Sequence, residues 1–265
     1  MIDSIVTDLD GTLLSPDGTI SVANKAILKK AMDKGIRIIL ASGRRYISAE
    51  RFAIELGIDD YIIAYSGAWV KKPSEAEPII KHEMPCDAAA EYIKLVMGKV
   101  DLVGAYVDDT FYVQQCNDAL ERYEAKSHLK AVEVDDVSDF LLGSKNNPTK
   151  IFTLAKPEIL EIIIESMNAR FFGKLDFVKS WETYLEVGPV GITKGSALRK
   201  LADILNLDLA NSVFFGDHDN DIPGMEVCGT SVAMGNATPG VKARADIIAP
   251  DNCHDGVAAV LERMI

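Results

Sequence analysis

Asp8-Leu9-Asp10-Gly11-Thr12 closes a short apolar run near the start of the chain, residues 2–6 interrupted by Asp3 and Ser4. A strand that stops on two carboxylates and a glycine aims those carboxylates at a ligand, because in an open parallel sheet ligands bind in the crevice beyond the carboxyl ends of the strands. Strand alternation points Asp8 and Asp10 the same way, and like charges so close repel unless a cation or a shared proton compensates. The pair therefore implies a metal or a division of acid and base labour. Gly11 permits a sharp exit from the strand, and Thr12 offers a hydroxyl to tie the turn down.

Three further segments repeat this design. Ala41-Ser42-Gly43-Arg44 follows a second apolar run, residues 36–40. Lys194-Gly195 opens a segment whose apolar residues Leu198, Leu201, Ile204 and Leu205 recur at helical spacing. Val213-Phe214-Phe215 runs into Gly216-Asp217-His218-Asp219-Asn220-Asp221, where acidic groups and an amide crowd together. Each segment is a weak signal alone; their common placement at strand ends and helix starts is not.

These segments, in this order, resemble the signature motifs of the haloacid dehalogenase superfamily, and specifically its Cof-like phosphatase branch with a type IIB cap. The resemblance implies that Asp8 is a nucleophile that attacks phosphorus to form an aspartyl-phosphate, and that Asp10 is the acid/base partner. It implies that Ser42, Gly43, Lys194 and Asn220 bind the phosphoryl oxygens. Mg2+ would be held by Asp8, the Asp10 carbonyl and Asp217, with Asp221 supporting the site from behind or holding Lys194. Arg44 would steer phosphate or the cap, and His218 and Asp219 read as loop residues. Ser66-Gly67-Ala68 departs from the Asn-Gly-Ala common in the family, which puts an asparagine amide contact in doubt. The implied function is Mg-dependent hydrolysis of small phosphorylated metabolites such as sugar phosphates, phosphorylated cofactors or nucleotides. A phosphomutase of the same branch is one alternative, and a non-catalytic protein that binds phosphorylated ligands is another. A receiver-like signalling protein also uses a phosphorylated aspartate, but that aspartate follows a middle strand in a chain about half this long.

Forty acidic against twenty-eight basic residues give a net charge of −12, which opposes non-specific attraction to nucleic acid and to anionic membranes. Cys86, Cys116, Cys228 and Cys253 form no CxxC pair, so reduced, mostly buried thiols are expected. With no leader-like start and no long apolar span, a cytoplasmic protein is expected.

Residues 1–81 alternate strand and helix, with Ser21 and Gly35 as start and stop signals for the first helix, and the alternation resumes after Lys194. Short connections between alternating elements imply an α/β, Rossmann-like core, a parallel sheet with helices on both faces. Residues 82–186 change pattern to a helix, a hairpin over 102–114 and further mixed elements, an inserted α+β cap domain; residues 187–265 complete the core. Exposed linkers are expected at 71–78 and 187–191.

Overall fold

The computed structural model describes residues 2–127 and 129–265. Two compact units emerge, one running to Ile80 and resuming over Thr193–Ile265, the other Lys81–Ile192.

The first unit opens with β1 (Ser4–Thr7), α1 (Val22–Asp33), β2 (Arg37–Ala41), α2 (Tyr46–Leu56) and β3 (Ile62–Ala64). The Ser21 hydroxyl accepts the Asn24 N–H at 3.1 Å and caps α1, and Gly35 follows its last turn at φ +80°, a left-handed conformation that favours glycine. Ile27, Leu28 and Ala31 face inward from α1. After a tight turn come β4 (Trp69–Lys71), antiparallel to β3 with Ile63 opposite Val70, and β5 (Ile80–Lys81). The sequence pattern does not reveal β4: three residues directly after a turn carry no readable alternation.

The second unit contains α3 (Cys86–Val96), β6 (Leu102–Val107), β7 (Thr110–Val113), α4 (Asp118–Ser127), β8 (Val132–Glu133), α5 (Val137–Ser144), β9 (Lys150–Leu154), α6 (Pro157–Arg170), β10 (Asp176–Trp181) and β11 (Tyr184–Gly188). Its strands form one sheet in the order β10-β11-β9-β6-β7-β8, antiparallel except at β7–β8. Asp108 and Asp109 both take positive φ, +46° and +62°, at the two-residue β6–β7 turn, as a hairpin matched to strand twist requires. Tyr92, Leu141 and Leu160 from the helices and Phe171 just past α6 pack with Val103, Ile151 and Leu185 into this unit's own core. Tyr123 of α4 stacks on Phe152 with ring centroids 4.1 Å apart. The expected boundary at 186/187 is corrected here. β11 pairs with β9 and β10 as far as Val187 and Gly188, and the Gly191 N–H donates to Asp176 Oδ2 at 2.6 Å, so the unit runs on to Ile192. Its other boundary falls at 80/81, one residue before the expected one.

The chain then returns to the first unit with α7 (Lys194–Leu205), β12 (Ser212–Gly216), α8 (Ile222–Met225), β13 (Thr230–Ala233), α9 (Pro239–Lys242), β14 (Ile247–Ile248) and α10 (Gly256–Leu261). The sheet order is β14-β13-β12-β1-β2-β3-β4-β5, parallel from β14 to β3. β1 lies between β12 and β2, where successive strands add to opposite sides, a topological switch point of the kind that opens a crevice at the strand ends. Thr7 is level with Leu40 on one side and Phe215 on the other, which brings Asp8, Ser42 and Asp217 to one edge. The fold is thus the α/β architecture with a second sheet domain that the alternation predicts.

Among the described residues no helix is long and apolar enough to cross a membrane. All four cysteines are free; Cys116 and Cys253 are exposed and Cys86 and Cys228 only partly buried, so the thiols are not the mostly buried set expected.

Candidate active site

The switch point places Asp8 first. Its N–H donates to the Phe215 carbonyl at 3.0 Å, extending the β1–β12 ladder by one residue, and the side chain is buried beyond it. Leu13 and Leu14 N–H groups bond back to the Asp8 and Leu9 carbonyls, so the loop curls around its own acidic pair. Gly11 takes φ +79°, and a Cβ there would lie 2.3 Å from Asp217 Oδ2. Only a glycine lets Asp217 lie against this turn. Thr12 donates to Asp217 Oδ1 at 3.1 Å, and the Asn236 amide donates to the Gly11 carbonyl at 2.8 Å. Thr12 was expected only to tie down its own turn, and Asn236 carries no sequence signal beyond lying just after β13.

Lys194 and Asp221 are the charges of the site with no exposed surface. Thr193 caps α7 by accepting the Ser196 N–H at 3.0 Å, and Ser196 returns the bond to the Thr193 N–H at 2.8 Å. Lys194, at the first position of the helix, is fully buried and donates to Asp8 Oδ1 at 2.5 Å and Asp221 Oδ1 at 2.6 Å. The other Asp221 oxygen accepts the Asp217 and His218 N–H groups at 3.0 and 3.1 Å. Asp221 therefore anchors the lysine and shapes the Asp217 loop at once. Gly195 lets α7 approach α8 so closely that an added Cβ would sit 2.0 Å from the Pro223 carbonyl oxygen, which is backbone and cannot swing away. Gly195→Ala is expected to lower stability by about 2 kcal/mol or more, as a reduced urea midpoint with an unchanged m-value.

The carboxylates of Asp8, Asp217 and Asp221 each place an oxygen within 4.8 Å of the others. Burial raises the Asp8 carboxyl well above the ordinary range; Lys194 pulls it back, and Asp221, Asp217 and Asp10 push it further up. Burial, then Asp221, pushes Asp217 up to about 6. Burial alone would lower Lys194, but Asp221 and Asp8 override it and hold the ammonium protonated. One ammonium facing three carboxylates leaves a deficit of positive charge, and the donors are all hard oxygens. This set fits a divalent cation such as Mg2+ that takes few carboxylates and keeps its waters. Both Asp221 oxygens are already committed, which leaves Asp8 and Asp217 as the side chains with capacity to spare.

On the β2 side, Ser42 is buried, with its N–H on the Ile63 carbonyl at 2.7 Å and its own carbonyl accepting the Ser66 N–H at 3.0 Å. Its hydroxyl accepts the Arg44 N–H at 3.2 Å. The position of a Cβ on Gly43 would lie 3.3 Å from the Ser66 hydroxyl and 3.9 Å from the Asn220 amide nitrogen, so Gly43, Ser66 and Asn220 meet around one gap. Ser66 adopts φ +53° after Tyr65 at +50°, a strained pair for residues with side chains. Arg44 makes a two-pronged ion pair with Asp10, Nε to Oδ2 and Nη2 to Oδ1, both at 2.6 Å. His218 and Asp219 are exposed, and Asp219 accepts from the Thr238 hydroxyl at 3.0 Å.

An acidic pair after the first strand, a serine after the second, a buried lysine and a second acidic loop thus converge on one sheet edge. The haloacid dehalogenase-like hydrolase profile matches residues 5–261. The chain belongs to this family. It is a phosphoric monoester hydrolase, and its relatives carry phosphatase names. It is 28% identical to pyridoxal phosphate phosphatase YbhA of Escherichia coli over 96% of this chain and 95% of that protein. It is also 28% identical to the HMP-PP phosphatase of Serratia proteamaculans, over 89% of this chain and 84% of the relative. The crystal structure of TM0651 from Thermotoga maritima superposes with a TM-score of 0.90 at 32% identity, covering 99% of this chain and 97% of that one.

Proposed function

We propose that the protein hydrolyses phosphate monoesters of small metabolites in a Mg2+-dependent reaction in which Asp8 is the nucleophile and Asp10 the acid and base. The observation that carries this reading is the Asp8 carboxylate, buried at the switch point and held by one oxygen on Lys194. Its other oxygen, Oδ2, takes no hydrogen bond from the described residues and is the atom left for attack. Asp8 Oδ2 bonds to phosphorus as the bond to the ester oxygen breaks, and Asp10 gives the departing alkoxide a proton. Asp10 then takes a proton from water as the water oxygen bonds to phosphorus, the bond to Asp8 breaks and inorganic phosphate leaves. Lys194, the Ser42 hydroxyl, the Gly43 N–H and the Asn220 amide stabilise the charge spread over the phosphoryl oxygens. A bound Mg2+, held by Asp8, Asp217 and the Asp10 carbonyl, would screen the repulsion between phosphate and carboxylate.

The test is phosphate release from a panel of small esters, including pyridoxal phosphate and sugar phosphates, with Mg2+ and with chelator. Release that needs the metal and singles out one ester supports the reading. Transfer of phosphate to a second sugar without release turns it toward a mutase.

Mg2+ affinity is expected to weaken about tenfold per pH unit below about 6, where Asp217 takes up a proton. In chelator the sign reverses. The folded Asp217 carboxyl lies above its ordinary value, so its contribution to stability is present at low pH and lost as pH rises through about 6. Thermal melts between pH 5 and 7, with and without Mg2+, read both slopes. An affinity independent of pH over this window would remove Asp217 from the ligand set.

A further inference from the structure

Asp10 differs from the other carboxylates of the site in being open to solvent, its side chain 57% exposed against 8% for Asp8. Neither the sheet nor the buried lysine holds it. Among the described residues its carboxylate is bonded by one side chain, the Arg44 guanidinium, which takes both oxygens at 2.6 Å. Arg44 is itself anchored. Its guanidinium lies 5.3 Å from the ring centroid of Phe52, a residue of α2 that is 2% exposed. Its N–H is on the Ser42 hydroxyl at 3.2 Å, and its carbonyl accepts the Tyr65 N–H at 2.8 Å. The order in this pair therefore runs from α2 and the Ser42 loop, through Arg44, to Asp10.

The structure assigns Arg44 as the positioning residue for Asp10: the guanidinium fork, seated on Phe52, fixes the direction from which the Asp10 carboxyl meets the leaving oxygen of the ester. This rests on Asp10 being the acid and base. Arg44 transfers no proton, because guanidinium stays charged. When one Asp10 oxygen turns to the substrate, the other stays on the fork as a pivot. Without it, an exposed aspartate on a loop samples its rotamers freely, and a misplacement of about 1 Å costs as much as a hundredfold in rate. A role acting through Asp10 differs from holding the phosphoryl group. It matters for alkyl esters, whose leaving oxygen needs a proton, and little for p-nitrophenyl phosphate, whose leaving group departs as the anion.

The experiment measures kcat for glycerol phosphate and for p-nitrophenyl phosphate, with the Ki of inorganic phosphate, in Arg44→Met, Arg44→Lys, Asp10→Asn and the Arg44→Met/Asp10→Asn double variant. The alkyl-to-aryl kcat ratio is expected to fall about tenfold or more in Arg44→Met, and Arg44→Lys, which lacks the fork, is expected not to restore it. Adding Arg44→Met to Asp10→Asn is expected to change the ratio no further, and the Ki to stay within about twofold. Equal losses on both esters, a Ki raised about tenfold, full recovery with lysine, or ratios that multiply in the double variant would each overturn the assignment. If Asp10→Asn itself treats the two esters alike, the acid/base reading of Asp10 fails, and the positioning role fails with it.

Discussion

Asp8→Asn is expected to lower kcat for every phosphate ester by about 10^4-fold or more while leaving the protein folded. The amide keeps the shape of the carboxylate and can still accept from Lys194 at the 2.5 Å position, so the local packing has no reason to collapse. What disappears is the anionic oxygen that bonds to phosphorus. Stability in chelator is expected to hold or rise, because the substitution removes a carboxylate, Asp8, that burial and its acidic neighbours already disfavour. Phosphate release and a thermal melt on the same preparation check both halves. Activity within tenfold of wild type would mean that the nucleophile is a different group, and a large drop in melting temperature would mean that Asp8 serves the fold.

The parts of this site that were legible in the sequence share one property: each is local. Asp8 and Asp10 are two residues apart, and Asp217, Asn220 and Asp221 lie within five, all at the ends of apolar runs. The parallel core is legible for the same reason, since each strand and helix announces itself by its own period. Contacts that join distant segments are not. Nothing in residues 41–46 says that Arg44 reaches Asp10, and nothing near Asn236 says that its amide bonds the Gly11 carbonyl. Gly195 reads as a poor helix residue until the Pro223 carbonyl is seen against it. The boundary near 187 was misplaced because a Gly-Pro-containing stretch after a strand looks like a linker, whereas the strand itself is paired on both sides. The sequence leaves Asp221 open between supporting Lys194 and holding a metal-bound water; the structure brings it to the lysine and to two backbone N–H groups.

Lys194→Met tests the charge balance on which the site stands. Methionine is close to lysine in length and apolar, so it fills the same buried space while removing the ammonium. Asp8 and Asp221 then face each other with no positive partner, and breaking a buried pair from one side costs about 3–5 kcal/mol. That cost depends on the carboxylates being charged. Burial already raises Asp8, and Lys194 is what pulls it back, so without the lysine its protonation moves to still higher pH. The variant should therefore be least stable relative to wild type near pH 8 and recover as pH falls toward 5, because a carboxyl whose folded pKa is raised adds stability only in its protonated range. Activity should not recover with it, since a protonated Asp8 is no nucleophile and the phosphoryl oxygens have lost a cation. Urea unfolding of both proteins at several pH values reads the convergence directly. Parallel curves, with the same deficit at pH 5 and pH 8, would mean that Lys194 contributes packing alone and that the acidic cluster is balanced by another group.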